Sequence, residues 1–429
     1  MAASADKIKF AGDVNIDDVT IVNNKGLFQN VTAQVIQISY YEDMFSDFVT
    51  GSVVVKDSLD LMNLFKFTGE EYIKIKFSTP QLEKPIKNTF YITTITDRTV
   101  TGDREVHYVI HFVSPEAIVD VNKKISKAYK GKVSEVVKKF IADTESGLES
   151  KKSANVEETA NSITYTSNFW SPTDNLSYLA SKAENTKGVP SYMFFENNNG
   201  FNFVSLDSLN NQPVKQAFVM DKYTREDLGN GRTAMNIEED YTRIVDLQVP
   251  KSFDYMENAT SGMYASRLHT YDAILKTYTA KNFNFMESFK RRQTLNPNEV
   301  QSAKGIFRNA AAMDFMNRMT ANFSGGGDES QFKSFQERTS IVKMATANKL
   351  EITVPGRTDY CAGMKVGVTL NKMQPVTAQE DQAEITDRMY SGYYLVSAIN
   401  HTVTKEKHEC HMELIKDSMQ ANLNTTGSN

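Results

Sequence analysis

Cysteine is scarce in this chain of 429 residues, which has only Cys361 and Cys410. Two cysteines could form one bridge but cannot make a disulfide framework, and synthesis in a reducing cytosol is the simpler interpretation. The sequence also lacks any run of eighteen apolar residues, so we expect no membrane-spanning helix and no stable membrane insertion. The first seven residues have no apolar core, which argues against a signal peptide.

An excess of positive charge is also absent. Lysine and arginine number 48 against 53 aspartates and glutamates, for a net charge of -5. This balance excludes a protein that binds tightly to nucleic-acid phosphates, but it suits a mildly acidic surface past which nucleic acid slides. A short basic run at 290–292 is expected to be a solvated turn. The apolar fraction of 40% predicts a sizeable buried core.

Motifs for phosphate binding and nucleophilic catalysis are missing, because the sequence has no P-loop, dinucleotide-binding glycine turn or nucleophile elbow. The only cluster with metal-ligand residue types is His408-Glu409-Cys410-His411. On a strand, His408 and Cys410 share one face with Met412, while Glu409 and His411 share the other. This split favours an ordinary strand with one solvent-facing side. We therefore predict no catalytic, cofactor-binding or metal residues, and a structural or interaction protein rather than an enzyme.

The first 115 residues have the pattern of short β-strands joined by turns. Four segments carry it: 51–55, 72–77, 90–95 and 106–113. In the second of them, lysines alternate with Ile73, Ile75 and Phe77, which is typical of a half-buried strand. The alternation changes phase within 31–40, which predicts a β-bulge or a strand buried on both faces. Together these segments predict a β-barrel or sandwich.

Residues 116–220 mix helical and β patterns, which predicts a small α/β domain. Apolar residues at helical spacing within 133–141 predict an amphipathic helix. Ser171, followed by a proline and then by an acidic residue at the third position, predicts a helix N-cap. We expect that helix to end at Gly188 and a β-hairpin to follow over 192–204.

Residues 221–345 predict a mixed β and helical insertion domain. The pattern of 306–323 predicts a helix, a run of three glycines predicts a break, and Asp328 is expected to cap a second helix. The segment 265–278 fits either a helix or a strand. Earlier in the chain, the polar segment 144–159 is expected to be an exposed loop.

The first and last β regions resemble each other. Residues 90–101 align without gaps on residues 393–404, with Tyr, Thr, Val and Thr identical and most other pairs similar. Each copy follows a strand led by a glycine, Gly69 or Gly363, and precedes a charged turn and another strand. The repeat predicts a duplication that produces two related barrels, the second of them over 346–420.

Short motifs in the chain resemble the central baseplate hub proteins of contractile-tailed phages. The segments that carry the resemblance are 168–180, 192–197, 200–209, 354–356, 391–396 and 412–418. The aromatic-proline helix start at Trp170-Ser171-Pro172 and the strands after it resemble the middle domain of those hubs. The C-terminal segments resemble their last barrel.

The resemblance implies a mainly β fold with α+β insertions, in which two related tail-tube-like β-barrels accompany a small α/β domain. The expected domains are a first barrel (1–115), the α/β domain (116–220), the insertion domain (221–345), a second barrel that packs with the first (346–420) and a flexible tail (421–429). Such hubs form a non-enzymatic homotrimeric ring that adapts the sixfold tail tube to the threefold spike and lines the DNA ejection channel.

The resemblance also implies the partners and the location. These are a separate central spike protein, tail tube or tube-initiator proteins, baseplate wedge proteins, and DNA that passes through the lumen without specific binding. The expected location is the virion tail baseplate, after synthesis in the host cytoplasm, and no cofactor is expected.

Three alternatives stay open on the sequence. The same motifs resemble hubs of contractile bacteriocins and of secretion-system spikes. A carbohydrate-binding β protein of a tail is compatible with 19 tyrosines, because sugars stack on exposed rings. A metal-dependent enzyme would use His408, Cys410 and His411.

Overall fold

The computed structural model describes residues 8–101, 105–220, 237–272, 276–300, 312–317, 330–372 and 386–422. The N-terminal half is an antiparallel sheet with one short helix, α1 (Leu61–Phe65). Its strands are β1 (Asn15–Val22), β2 (Phe28–Asn30), β3 (Val35–Asp43), β4 (Thr50–Asp57), β5 (Tyr72–Ser78), β6 (Ile86–Val100) and β7 (Val106–Val113). They lie in the order β3-β4-β7-β6-β5-β1-β2.

Alternation along the strands places the core of this half. In β5, Ile73, Ile75 and Phe77 are buried, as their spacing predicts. The phase change before residue 40 also has its predicted cause, because the register of β3 against β4 shifts between Val35 and Gln37. A bulge of this kind moves the following side chains to the opposite face of the sheet.

The middle of the chain adds a smaller α/β unit. Its elements are α2 (Pro115–Asn122), β8 (Ala128–Lys132), α3 (Val133–Ala142), β9 (Ala154–Val156), β10 (Ser162–Thr166), α4 (Pro172–Lys182), β11 (Tyr192–Asn197), β12 (Gly200–Ser205) and α5 (Leu206–Asn211). The predicted N-cap is confirmed: Ser171 Oγ accepts from the amide of Asp174 at 3.2 Å, and the Asp174 carboxylate accepts from the amide of Ser171 at 3.1 Å. This capping box satisfies two amides that the first turn leaves unpaired.

The predicted end of that helix at Gly188 is wrong, because α4 ends at Lys182. The side-chain oxygen of Asn185 accepts from the amides of Lys187 and Val189, at 2.9 and 3.0 Å. This local turn competes with the helical hydrogen bonds and ends the helix before the glycine is reached.

The segment 144–159 is only partly the exposed loop that its polarity predicts. Leu148 is buried, and β9 pairs in parallel with β12. Lys152 forms ion pairs with two buried carboxylates, those of Glu116 and Glu196. From the sequence alone a lysine is expected to be exposed, and only the fold shows that Lys152 lies between two carboxylates.

The insertion region combines short helices with strands. Its elements are β13 (Gln216–Met220), α6 (Ile237–Thr242), β14 (Asp246–Lys251), α7 (Tyr255–Thr260), β15 (Ala265–Asp272), β16 (Thr277–Asn284), α8 (Phe285–Phe289), β17 (Ala312–Asn317) and α9 (Ser330–Thr346). In the ambiguous segment 265–278, residues 265–272 and 277–278 are therefore β, since β15 and β16 pair antiparallel; residues 273–275 lie outside the described residues. The second predicted helix is confirmed as α9, although its expected cap, Asp328, lies outside the described residues.

Two predictions in this region are wrong. Residues 312–317, which the pattern assigned to a helix over 306–323, form β17 and pair in parallel with β15; the rest of that segment lies outside the described residues. The neighbouring strand supplies hydrogen bonds that outweigh the weak helical preference. The expected solvated turn at 290–292 contains a buried guanidinium, because Arg292 donates to the buried Asp417 at 3.1 Å.

The C-terminal half is again a sheet. Its strands are β18 (Asn348–Pro355), β19 (Lys365–Leu370), β20 (Gly392–Thr404) and β21 (His408–Lys416). Together with β13 and β14 they lie in the order β14-β18-β21-β20-β19-β13. The mainly β fold class with α+β insertions is thus confirmed.

The two halves repeat one strand order. The path β3-β4-β7-β6-β5-β1 in the first half corresponds to β14-β18-β21-β20-β19-β13 in the second. The repeated segments occupy equivalent central strands, β6 and β20, and both strands have a bulge against the following strand, between Ile92 and Thr94 and between Val396 and Ala398. One difference is that β1 pairs with β5 antiparallel, whereas β13 pairs with β19 in parallel. The strand order supports the duplication that the sequence predicted.

Backbone pairing joins the halves into one continuous sheet. The last part of β20 pairs antiparallel with β3, from Ala398 opposite Asp43 to Thr404 opposite Gln37. Each half keeps its own apolar core, and the core of the C-terminal half also includes Phe195 of the α/β unit. The domain boundaries given above remain a prediction. In the described part of the chain, no helix has both the length and the apolar character needed to cross a membrane.

Candidate functional site

A groove of about 630 Å³ lies on the sheet where its two halves meet, lined by residues from β3, β14, β18, β20 and β21 and from the connection between β3 and β4. Its charged lining includes Asp43, Asp246, Glu351 and Glu413, and no lysine or arginine of the described residues lines it. We call this surface the acidic face. Carboxylates that line one surface repel a polyanion and disfavour its adhesion.

Two of these carboxylates are held by neighbours. Glu413 forms an ion pair with Lys349 at 2.7 Å and accepts from Ser397 Oγ at 2.7 Å. Asp43 accepts from the amide of Phe45 at 2.8 Å. Burial raises the pKa of Asp43, and the negative charge of Glu413 raises it further against the effect of that hydrogen bond.

A buried carboxylate lies beneath the acidic face. Glu42 of β3 accepts from the amide of Asn198 and from the amide of Ala362, both at 2.8 Å. Burial raises the pKa of Glu42 to about 8. One side chain thereby joins the first half, the β11–β12 turn of the α/β unit and the loop before β19.

Two of the unpaired strand edges in the described sheet belong to β6 and β14. In β6, the part beyond Ile92 pairs with β7 on one side and with no described strand on the other. In β14, the edge away from β18 has no described partner strand. Apolar side chains near these edges are exposed: Val100 by 68%, Val245 by 57% and Val249 by 40%. Unpaired edges with apolar side chains are the features that strand pairing with another chain would cover.

The cluster with metal-ligand residue types alternates as predicted. His408 and Cys410 are buried, while His411 is exposed and its Nδ1 lies 2.9 Å from Thr353 Oγ1. The sequence analysis missed a third residue, His401 of β20, which lies beside the two buried residues. Its alternation with apolar neighbours could have predicted its burial, but no sequence signal predicts which side chains it meets.

Neither cysteine is activated as a nucleophile. Both thiols are free, and burial raises the pKa of Cys361 to about 12 and raises that of Cys410 as well. A catalytic thiol instead needs a lowered pKa and access to substrate. The thiols therefore give no support to cysteine-based catalysis.

Comparison of the fold with solved structures finds phage tail proteins. A tail protein from Neisseria meningitidis aligns with a TM-score of 0.53 and 10% identity, over 93% of this chain and 96% of that one. The 43 kDa tail protein of prophage MuSo2 from Shewanella oneidensis aligns with a TM-score of 0.53 and 8% identity, over 94% and 99% of the two chains. No protein-family model and no curated protein matches the sequence. The chain thus has the fold of phage tail proteins, as its resemblance to baseplate hubs implied.

Proposed function

We propose that this protein is the structural baseplate hub of a contractile phage tail. In this role three copies form a ring that adapts the sixfold tail tube to a threefold spike. The observation that carries the proposal is the internal duplication, in which two halves repeat one strand order within a fold shared with phage tail proteins. Three chains with two related halves each supply the six similar units that contact with a sixfold tube requires.

The strand edges suggest how the ring closes. Within one chain, the end of β20 pairs with β3. The equivalent strands by repeat order are β6 and β14, and each of these has an unpaired edge. Pairing of the β6 end of one copy with β14 of the next repeats the contact between the halves at each subunit boundary. Because the two edges differ, the contact is head-to-tail and closes into a ring when the rotation permits.

The acidic face is our candidate for the lining of the channel. It lies on the continuous sheet at the junction of the halves, so pairing between copies would extend it around the ring. A carboxylate lining gives DNA phosphates no cationic trap and lets DNA pass without specific binding. The proposed location is the virion baseplate, and the proposed partners are the central spike, tube or tube-initiator proteins and wedge proteins. The role needs no enzymatic activity.

Native mass spectrometry of the purified chain, alone and mixed with the spike protein of the same particle, tests the ring. We expect a species of three times 48.3 kDa, with a central hole in electron micrographs. Lysines at the two edges, Val249→Lys and Val100→Lys, should each prevent trimer formation. Val121→Lys, at a position of α2 that is 75% exposed, is the matched control and should remain trimeric. A wild-type chain that stays monomeric with the spike, or edge variants that still form trimers, would contradict the proposal.

The channel lining has a separate test. Asp246→Lys combined with Glu351→Lys should make the assembled ring retain DNA at low salt, with a retention that falls steeply as salt rises. Rings of wild-type protein should retain none. If the charge-reversed ring also fails to retain DNA, the acidic face does not line the channel, whatever the oligomeric state.

A further inference from the structure

Three metal-ligating side chains converge at the boundary between the two halves. Nδ1 of His401 lies 3.0 Å from Nε2 of His408, and Sγ of Cys410 lies 3.3 Å from the first nitrogen and 3.6 Å from the second. All three residues are completely buried. The two histidines and the cysteine come from adjacent strands, β20 and β21, and lie on one face of the hairpin.

The spacing of these three atoms suits one metal ion. A point equidistant from them lies about 1.9 Å from each, close to the zinc–nitrogen distance of about 2.0–2.1 Å and a few tenths of an ångström below the zinc–sulfur distance of about 2.3 Å. Small outward movements of the side chains would complete the fit. The ligand atoms therefore need no rearrangement of the backbone to hold an ion.

The surroundings of the cluster give its polar atoms few other partners. The ring of His401 packs against Tyr40 and Phe77, and the ring of His408 packs against Phe77. His408 faces the cluster through Nε2. Its other nitrogen, Nδ1, is buried without a hydrogen-bond partner among the described residues, and an ion at the cluster would not change that. The convergence of the three ligand atoms, and not this nitrogen, is what indicates an ion.

We propose that His401, His408 and Cys410 bind one thiophilic metal ion, Zn²⁺ or Cu⁺, that cross-links β20 and β21 where this hairpin packs against the N-terminal half. Two imidazoles and a thiolate are the soft donors that these ions prefer. On binding, the Cys410 thiol releases its proton to solvent and its sulfur bonds to the ion. With one thiolate and two neutral imidazoles, a site that holds Cu⁺ has no net charge, whereas a site that holds Zn²⁺ has a net charge of +1. Because a buried net charge is unfavourable, the burial of the site favours the monovalent ion.

Metal binding sets the protonation states at this site. Each imidazole must be neutral at the nitrogen that binds the ion, and Cys410 must bind as the thiolate, so the affinity should fall at low pH.

The location gives the ion a structural rather than a catalytic part. The carbonyl of His408 accepts from the amide of Gly356 at 2.8 Å, and its amide donates to the carbonyl of Gly12 at 2.8 Å. A side chain at Gly356 would collide with the His408 ring, because its Cβ would lie 2.2 Å from that ring. The ion would thus bind while the chain folds and would cross-link β20 and β21, whereas the backbone of His408 contacts the N-terminal segment directly.

The test is the metal content of the full chain. The protein is produced in medium supplied with Zn²⁺ or with copper under reducing conditions, purified without chelator and analysed by elemental mass spectrometry. We expect about one ion per chain, a tenfold or larger loss in Cys410→Ser and His401→Asn, and no loss in Cys361→Ser or His411→Asn. The two controls remove the other cysteine and an exposed histidine of the same strand.

A second measurement uses mainly the wild-type protein, so its result does not depend on whether the variants fold. Wild-type protein is unfolded, stripped of metal and refolded with Zn²⁺, Cu⁺, Co²⁺ or a chelator. We expect a higher unfolding midpoint with Zn²⁺ or Cu⁺, and a thiolate-to-cobalt charge-transfer absorption with Co²⁺ that persists in Cys361→Ser. The ion that gives the larger shift is the native type. The proposal would be overturned if the protein bound less than about a tenth of an equivalent of every ion and no ion shifted the unfolding midpoint. It would also be overturned if the Cys361→Ser substitution abolished metal binding.

Discussion

The buried carboxylate of Glu42 predicts a stability that falls as the pH rises. Its pKa in the folded protein is about 8 against an ordinary 4.5, because burial disfavours the charged form. The folded state therefore binds this proton more tightly than the unfolded state does. Glu42 therefore contributes about 5 kcal/mol to the free energy of unfolding below pH 4.5. This contribution falls by about 1.4 kcal/mol per pH unit as the pH rises, and it is lost as the pH passes through 8.

Replacement by glutamine isolates this contribution. Glu42→Gln keeps the shape but leaves one of the two backbone amides without an acceptor, so we expect it to be less stable than the wild type by about 1–3 kcal/mol at pH 5. At pH 8 the difference should shift by about 3.5 kcal/mol in favour of the variant, because unfolding of the wild type then releases a proton that the folded state still holds in half of the molecules.

The assay for Glu42 is urea unfolding at pH 5 and pH 8, followed by circular dichroism and by the fluorescence of Trp170, the single tryptophan. Glu351→Gln, an exposed substitution on β18, controls for the loss of one negative charge near the same groove. A difference between wild type and Glu42→Gln that stays constant within about 1 kcal/mol from pH 5 to pH 8 would refute the reasoning.

Three further predictions concern stability and can be checked by calorimetry or urea unfolding. Gly200→Ala should destabilise the protein by more than about 2 kcal/mol, because the φ of Gly200 is +113° and a Cβ there would lie 2.1 Å from a backbone oxygen. The control Gly26→Ala, at a position with φ of +80° and open space, should cost only about 1–2 kcal/mol. Equal losses of stability in the two variants would contradict this reasoning. Ser171→Ala should cost about 1 kcal/mol through loss of the capping box, and an unchanged midpoint would show that the cap is dispensable. Arg292→Met should cost about 3–5 kcal/mol by leaving Asp417 buried without its cation, whereas a loss below about 1 kcal/mol would mean that the carboxylate finds other donors.

The sequence by itself determined the local structure and the fold class. Alternation located β5 and β7 within one residue of their ends, because a strand with one buried face must alternate whatever it pairs with. The helix start at Ser171 was equally predictable, since a capping box involves only neighbouring residues. The repeat between residues 90–101 and 393–404 indicated the duplication before any strand order was known.

Only the tertiary structure decided which distant segments meet. It placed β13 and β14 at the edges of the C-terminal half, turned 312–317 into a strand and brought His401 beside Cys410. It also buried Arg292, whose sequence neighbours suggested a solvated turn. Periodicity states which face of an element is buried but not what covers it, because the partner is chosen by chain topology across long sequence separations.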